Sequence, residues 1–139
     1  MAKVFTFRGK TLQELQQMSV GEFAGLCSAR AKRSLKRGFN KKLLKKIQKT
    51  LEEKNKGKEP RPIRTHLRDT IIVPNMLGLR FSVHKGGDAN KGNAFTQLEI
   101  KPEMLGHYLG EMALTRKRLV HGKAGIGATK SSTAITARG

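Results

Sequence analysis

Twice in this chain a short apolar run meets a proline and then the triplet Met-Leu-Gly. The first copy is Thr70-Ile-Ile-Val73 followed by Pro74-Asn-Met-Leu-Gly78. The second lies in Phe95–Gly110, where Phe95, Gln97, Leu98, Glu99 and Ile100 read as a strand that stops at Pro102. Beyond it Met104, Leu105, Tyr108, Leu109 and Met112 recur at helical spacing and predict a helix. Proline suits the first helical position, and Glu103 suits the positive end of the helix dipole. Gly106 and Gly110 fit that helix poorly, because a helical glycine costs about 1 kcal/mol relative to alanine. Either the helix ends near Gly106, as the first copy ends at Gly78, or the backbone there must approach another molecule closely.

Around this compact part the chain is dominated by charge. It has 29 Lys+Arg against 10 Asp+Glu, a net charge of +19, and 37% apolar residues without tryptophan. A small core is possible and a large one is not. Folding alone calls for no such imbalance, so the partner is a polyanion: nucleic acid first, an anionic membrane surface second. The single cysteine, Cys27, excludes an internal disulfide and a CxxC zinc site. Its neighbours Phe23, Ala24 and Leu26 mark it as a small apolar residue. The first ten residues lack a signal-peptide run and no stretch reaches membrane-spanning length, which fits a reducing, cytosolic setting without a membrane partner.

Taken in order, residues 1–27 are an arm with Phe5 and Phe7, then two short helices. Each helix opens on a capping box, Thr11-Leu-Gln-Glu14 and Ser19-Val-Gly-Glu22. Residues 28–64 are a basic helical region and linker. Between residues 30 and 49 there are ten Lys/Arg and no acid. Arg30, Lys32, Arg33, Lys36 and Arg37 precede Gly38, a helix stop. Asn40 caps a second helix with a stripe of Phe39, Leu43, Leu44, Ile47 and Leu51. Lys41, Lys42, Lys45, Lys46 and Lys49 cover its other faces. A solvated face normally mixes both signs, so these helices point to a polyanion. Lys54–Arg64 reads as a linker. Residues 65–114 form the compact α+β core, with strands at Ile71–Val73, Leu79–His84 and Ala94–Ile100 and a flexible loop at Lys85–Asn93. Residues 115–139 are a basic, glycine-rich tail that orders only on a partner.

Catalytic patterns are missing. Gly122 and Gly127 have phosphate-loop spacing, but Ala128 stands where lysine is required. His66, His84, His107 and His121 show no ligand spacing, so neither a metal nor any other cofactor is expected. No carboxylate pair or nucleophile elbow is present. An enzyme is not expected. With so few aromatics, base stacking would not be the main mode of binding a nucleic acid.

Five phrases in order carry a family resemblance: Thr65-His-Leu-Arg-Asp69, Ile71-Ile-Val-Pro74, Glu99-Ile-Lys-Pro-Glu-Met104, Gly106-His-Tyr-Leu-Gly-Glu111, and His121-Gly with Gly125-Ile-Gly-Ala-Thr129 and Ser131-Ser132. Together they resemble the small-subunit ribosomal protein S nineteen family, in its eukaryotic and archaeal branch (S fifteen in eukaryotes). The resemblance implies an α+β fold: a small three-stranded sheet flanked by helices, with a helical basic N-terminal extension and a flexible basic C-terminal tail. It implies a structural, non-enzymatic role in translation, in the head of the small ribosomal subunit of the cytosolic ribosome. Assembly would be nucleolar in a eukaryote. The implied partners are the 3′ major domain of the ribosomal RNA, ribosomal protein S thirteen, the large subunit through a bridge, and A- and P-site tRNA.

The RNA-binding residues expected on these grounds are the ten cations of residues 30–49, Arg64, Arg68, Lys101, Gly106, His107, Gly110, Arg116, Lys117, Arg118, His121 and Lys123. Gly106→Leu should then leave the domain folded and weaken incorporation. The tail residues Gly125, Gly127, Thr129, Lys130, Ser131, Ser132 and Arg138 would point toward the decoding site. Lys123-Ala124, the long loop and Thr133–Gly139 depart from the family pattern. The competing reading is a general, chromatin-like nucleic-acid binder, which should show a groove-reading helix. Another is a membrane-surface or calmodulin-binding helix at residues 39–53.

Overall fold

The architecture comes from a computed structural model that describes residues 5–87, 94–116 and 118. The N-terminal arm forms a hairpin of β1 (Thr6–Phe7) and β2 (Lys10–Thr11). Its two turn residues, Arg8 and Gly9, both have positive φ (51° and 80°), the tight turn whose twist matches paired strands. Helices α1 (Leu12–Gln17) and α2 (Val20–Leu26) start at the two capping boxes. The Glu14 carboxylate accepts from the Thr11 amide at 3.0 Å, and the Glu22 carboxylate from the Ser19 amide at 2.8 Å. The bonds from the Ser19 amide and hydroxyl hold the Glu22 carboxyl below its ordinary pKa.

Helix α3 (Ala29–Arg37) stops at Gly38, whose φ of 85° no side chain adopts easily. Helix α4 (Lys41–Asn55) begins at Asn40, whose Oδ1 accepts from the Lys42 amide at 2.9 Å. Its buried stripe is Leu43, Ile47 and Thr50. Leu44, read from sequence as part of the stripe, lies exposed one position round the helix. Thr50 can sit inside because its hydroxyl donates to the Lys46 carbonyl at 2.8 Å.

The main sheet has three strands, β3 (Ile63–Thr65), β4 (Arg80–His84) and β5 (Phe95–Glu99), in that spatial order. β4 and β5 are antiparallel and form the expected hairpin. β3 runs parallel to β4 and comes from the end of the segment that reads as linker. Ile71–Val73 is therefore not the first strand of the sheet; Ile71 makes only an isolated bridge to Tyr108. The parallel pairing explains the correction. It needs a crossover between its strands, and residues 66–79 are that crossover.

The Met-Leu-Gly phrases are twins in space. Pro74–Met76 and Pro102–Met104 are short 3-10 turns, each followed by leucine with φ −59° and ψ near 135°. Gly78 and Gly106 follow with φ of 67° and 78°, which completes a type II turn in each copy. The twins bond each other reciprocally. Gly78 N–H donates to Ile100 O, and Gly106 N–H to Ile72 O, both at 3.0 Å. Ile100 N–H donates to Leu79 O at 3.0 Å, and Ile72 N–H to His107 O at 2.9 Å. This overturns the expected helix over residues 104–112. The chain leaves helical geometry at Leu105 and Gly106, and a separate 3-10 turn forms at Leu109–Met112. Leu105 and Leu109 still reach the core, being 2% and 0% exposed, from two turns rather than one helical face.

One buried cluster links all of this. It runs from Leu15, Phe23, Ala31 and Leu35 through Leu43 and Ile47 to Phe81, Val83, Ile100 and Leu109. Phe7 stacks on Phe23 with centroids 5.7 Å apart, so the N-terminal hairpin packs on the same core. The fold is α+β; among the described residues it has a small three-stranded sheet and four α-helices.

Candidate RNA interface

The cations of α3 and α4 are all exposed: Arg30, Lys32, Arg33, Lys36 and Arg37 on one helix, Lys41, Lys42, Lys45, Lys46 and Lys49 on the next. Burial of Ala31, Leu35, Leu43 and Ile47 fixes which way each helix faces, and the cations follow from that. Among the described residues the one Lys or Arg ion pair is Arg80–Glu59, at 2.6 Å. None of the α3 or α4 cations has a carboxylate partner there. Among the described residues, clefts border these helices. One, of about 330 Å³, lies at the α3–α4 elbow, lined by Arg30, Arg37, Asn40 and Tyr108 among others. Another, of about 770 Å³, follows α4 and is lined by Lys46, Lys49, Lys56, Lys58 and Arg61 among others.

Some predicted contact residues have internal duties. The Arg68 guanidinium donates to three backbone carbonyls, of His84 at 2.6 Å, Gly110 at 2.7 Å and Ala113 at 2.6 Å. It ties the end of β4 to the last turn, so its charge is directed inward. Lys46 reaches the Arg64 carbonyl at 3.3 Å, joining α4 to β3. Lys54, outside the predicted set, reaches the Gly78 carbonyl at 3.1 Å. The Arg30 guanidinium lies 5.3 Å from the centroid of the Tyr108 ring, so α3 also rests on the second twin.

The glycines have internal reasons too. A Cβ on Gly110 would stand 2.9 Å from Arg68 Cβ and 3.0 Å from its carbonyl oxygen. A Cβ on Gly106 would stand 3.3 Å from the Phe7 ring, on top of its positive φ. The expectation that Gly106→Leu leaves the domain folded must therefore reckon with a cost in stability, since backbone strain and the Phe7 ring both oppose the substitution. His107 is exposed, with Nδ1 2.6 Å from a Glu111 carboxylate oxygen. Lys101, Arg116 and Arg118 are exposed. Lys117, His121, Lys123 and the tail residues Gly125, Gly127, Thr129, Lys130, Ser131, Ser132 and Arg138 lie outside the described residues.

Spacing along the chain gave no hint of one cluster. On the sheet face opposite Phe81 and Val83, His84 pairs across the ladder with Phe95, and His66 follows β3 beside His84. The two imidazoles stack with centroids 4.3 Å apart. Phe95 meets both edge-on, at 5.3 and 5.1 Å. The Arg64 guanidinium sits 4.4 Å from the Phe95 centroid. The strand register, invisible until β3 is placed, is what gathers them.

Among the described residues no group of three or more metal-ligating side chains is assembled, and no helix is long and apolar enough to cross a membrane. The fold and its exposed cations define a class: a small basic α+β protein with a broad cationic helical face. A family model, Ribosomal protein S19, matches residues 33–121, more than half of the chain. The chain belongs to the ribosomal protein S19 family, which makes it a structural ribosomal protein that binds ribosomal RNA in the small subunit and serves translation.

Proposed function

We propose that this protein sits in the head of the small ribosomal subunit, with the α3–α4 face laid on phosphates of the 3′ major domain. The observation that carries this is the run of exposed α3 and α4 cations without a carboxylate partner among the described residues. Lysine and arginine neutralise phosphates and release counterions, and structured RNA is read largely by shape and backbone. The glycine-rich tail then extends toward the decoding region and the A- and P-site tRNAs, with Gly125, Gly127, Thr129, Lys130, Ser131, Ser132 and Arg138 as contact residues. Neighbours are ribosomal protein S thirteen and a bridge to the large subunit. The setting is the cytosolic ribosome, with nucleolar assembly in a eukaryotic cell. The role is structural and not enzymatic.

Sucrose-gradient sedimentation of tagged full chain at physiological salt tests the reading. Co-migration with small subunits is expected, and protein that stays at the top of the gradient would overturn it. Replacing Lys41, Lys42, Lys45 and Lys49 by glutamine should flatten the salt dependence of RNA binding, by about one unit of slope per lost phosphate contact.

A further inference from the structure

The outer face of the sheet carries a row that the core does not use. Of the six phenylalanines, Phe23 and Phe81 are core residues, and Phe5, Phe7 and Phe39 pack against the core. Phe95 alone belongs to neither group. It stands with His84 and His66 across the three strands, on the face that also presents Arg64, Arg80 and Gln97. Ser82, in the middle of this face, is 6% exposed although it is polar. Arg64, on the strand beside it, reaches across β4 to Phe95. His66 also lines a cleft of about 230 Å³, together with Asn40, Lys42, Lys46 and Arg64.

We propose that the His66–His84–Phe95 row, flanked by Arg64, is a stacking platform for an unpaired base of the bound RNA, with Lys42 and Arg64 beside the adjoining phosphate. Planar rings set across an open sheet face are a general means of holding splayed-out bases. A guanidinium over a ring adds a second plane on which a base can lie. The adjoining cations supply the charge that an incoming strand needs. Phosphate contact through α3 and α4 remains the main source of affinity, and the platform adds dependence on a base at one place. This proposal rests on the RNA-binding reading above and deepens it.

The test uses the full chain and two probes of equal length and charge, a short oligoadenylate strand and the same strand made abasic. At one fixed salt concentration the oligoadenylate should bind about tenfold more tightly, the order of one stacked base. His66→Ala and Phe95→Leu should each shrink that ratio toward one while leaving affinity for the abasic strand unchanged. His66→Tyr should preserve it, because a ring and not a charge is required. Thermal melting of each variant confirms folding, and the exposed His66 keeps the test open if Phe95→Leu does not fold. Equal binding of both strands by the unaltered chain would overturn the platform and leave the RNA-binding reading intact. So would loss of affinity for both strands alike in the His66→Ala variant. Failure to bind either strand would overturn the platform, and sedimentation with small subunits then decides the RNA-binding reading separately.

Discussion

The two Met-Leu-Gly turns share one backbone and serve different ends. The first delivers Leu79, 1% exposed, into β4, and acts as a corner of the sheet. The second delivers the exposed His107 and then the Tyr108 ring on which Arg30 lies. Their glycines differ in surroundings. The space beside Gly78 is bounded by the Lys54 ammonium at 3.0 Å, the far end of a flexible side chain. The space beside Gly106 is bounded by the Phe7 ring and, at 3.7 Å, by the Cys27 sulfur. Both of those residues precede residue 33, where the family match begins. The same turn thus directs the chain in one copy and receives the N-terminal segment in the other.

That contrast can be broken by substitution. Gly106→Leu should lower stability by about 3 kcal/mol, combining left-handed backbone strain with overpacking against the Phe7 ring. Gly78→Leu should lose only about 1–2 kcal/mol, because Lys54 can swing aside. Chemical denaturation of the two variants checks this, and equal losses would mean that the Phe7 contact adds nothing. Arg68→Met tests the second turn from the other side. Three carbonyls lose a charged donor, so stability should fall by about 2 kcal/mol, with faster amide exchange at Glu111 and Ala113.

A smaller effect comes from acid. The Glu22 carboxyl is held below its ordinary value of 4.5 by the Ser19 bonds. Its contribution is complete above that value and is lost as pH falls through the lowered folded value. Melting temperature measured against pH should therefore drop less steeply on the acid side in Glu22→Gln. The smallest change is expected from His107→Ala. Its contact with Glu111 is an exposed pair, so stability should move by about 0.5 kcal/mol or less in thermal melts.

How much of this was legible depended on how local the cause was. The capping boxes, Gly38 and Asn40 act within a few residues, and the structure repeats them as read. β3 was illegible. It is three residues long, follows Pro62, and is a strand only because β4 lies alongside. The helix read over residues 104–112 failed for a related reason. Its apolar spacing was real, but the turn at Leu105-Gly106 is held by Ile72, far away in the chain. Among the site residues, the α3 and α4 cations lie on the surface as read, whereas Arg68 and Gly110 are bound up with each other. Nothing in the chain's order announces that Arg68 faces inward, because its acceptors come from β4 and from the last turn.

The reciprocal turns have a consequence for how the molecule opens. Each glycine amide is held by a carbonyl of the other twin, so neither turn can release its bonds while the other stays closed. The amides of Ile72, Gly78, Ile100 and Gly106 form a single opening unit and should exchange with solvent at one common rate. The β4–β5 hairpin lies between the twins in the chain, so a formed hairpin shortens the loop that the clasp must close. Loop-closure entropy then places the clasp late in folding, as the step that fastens a sheet already formed.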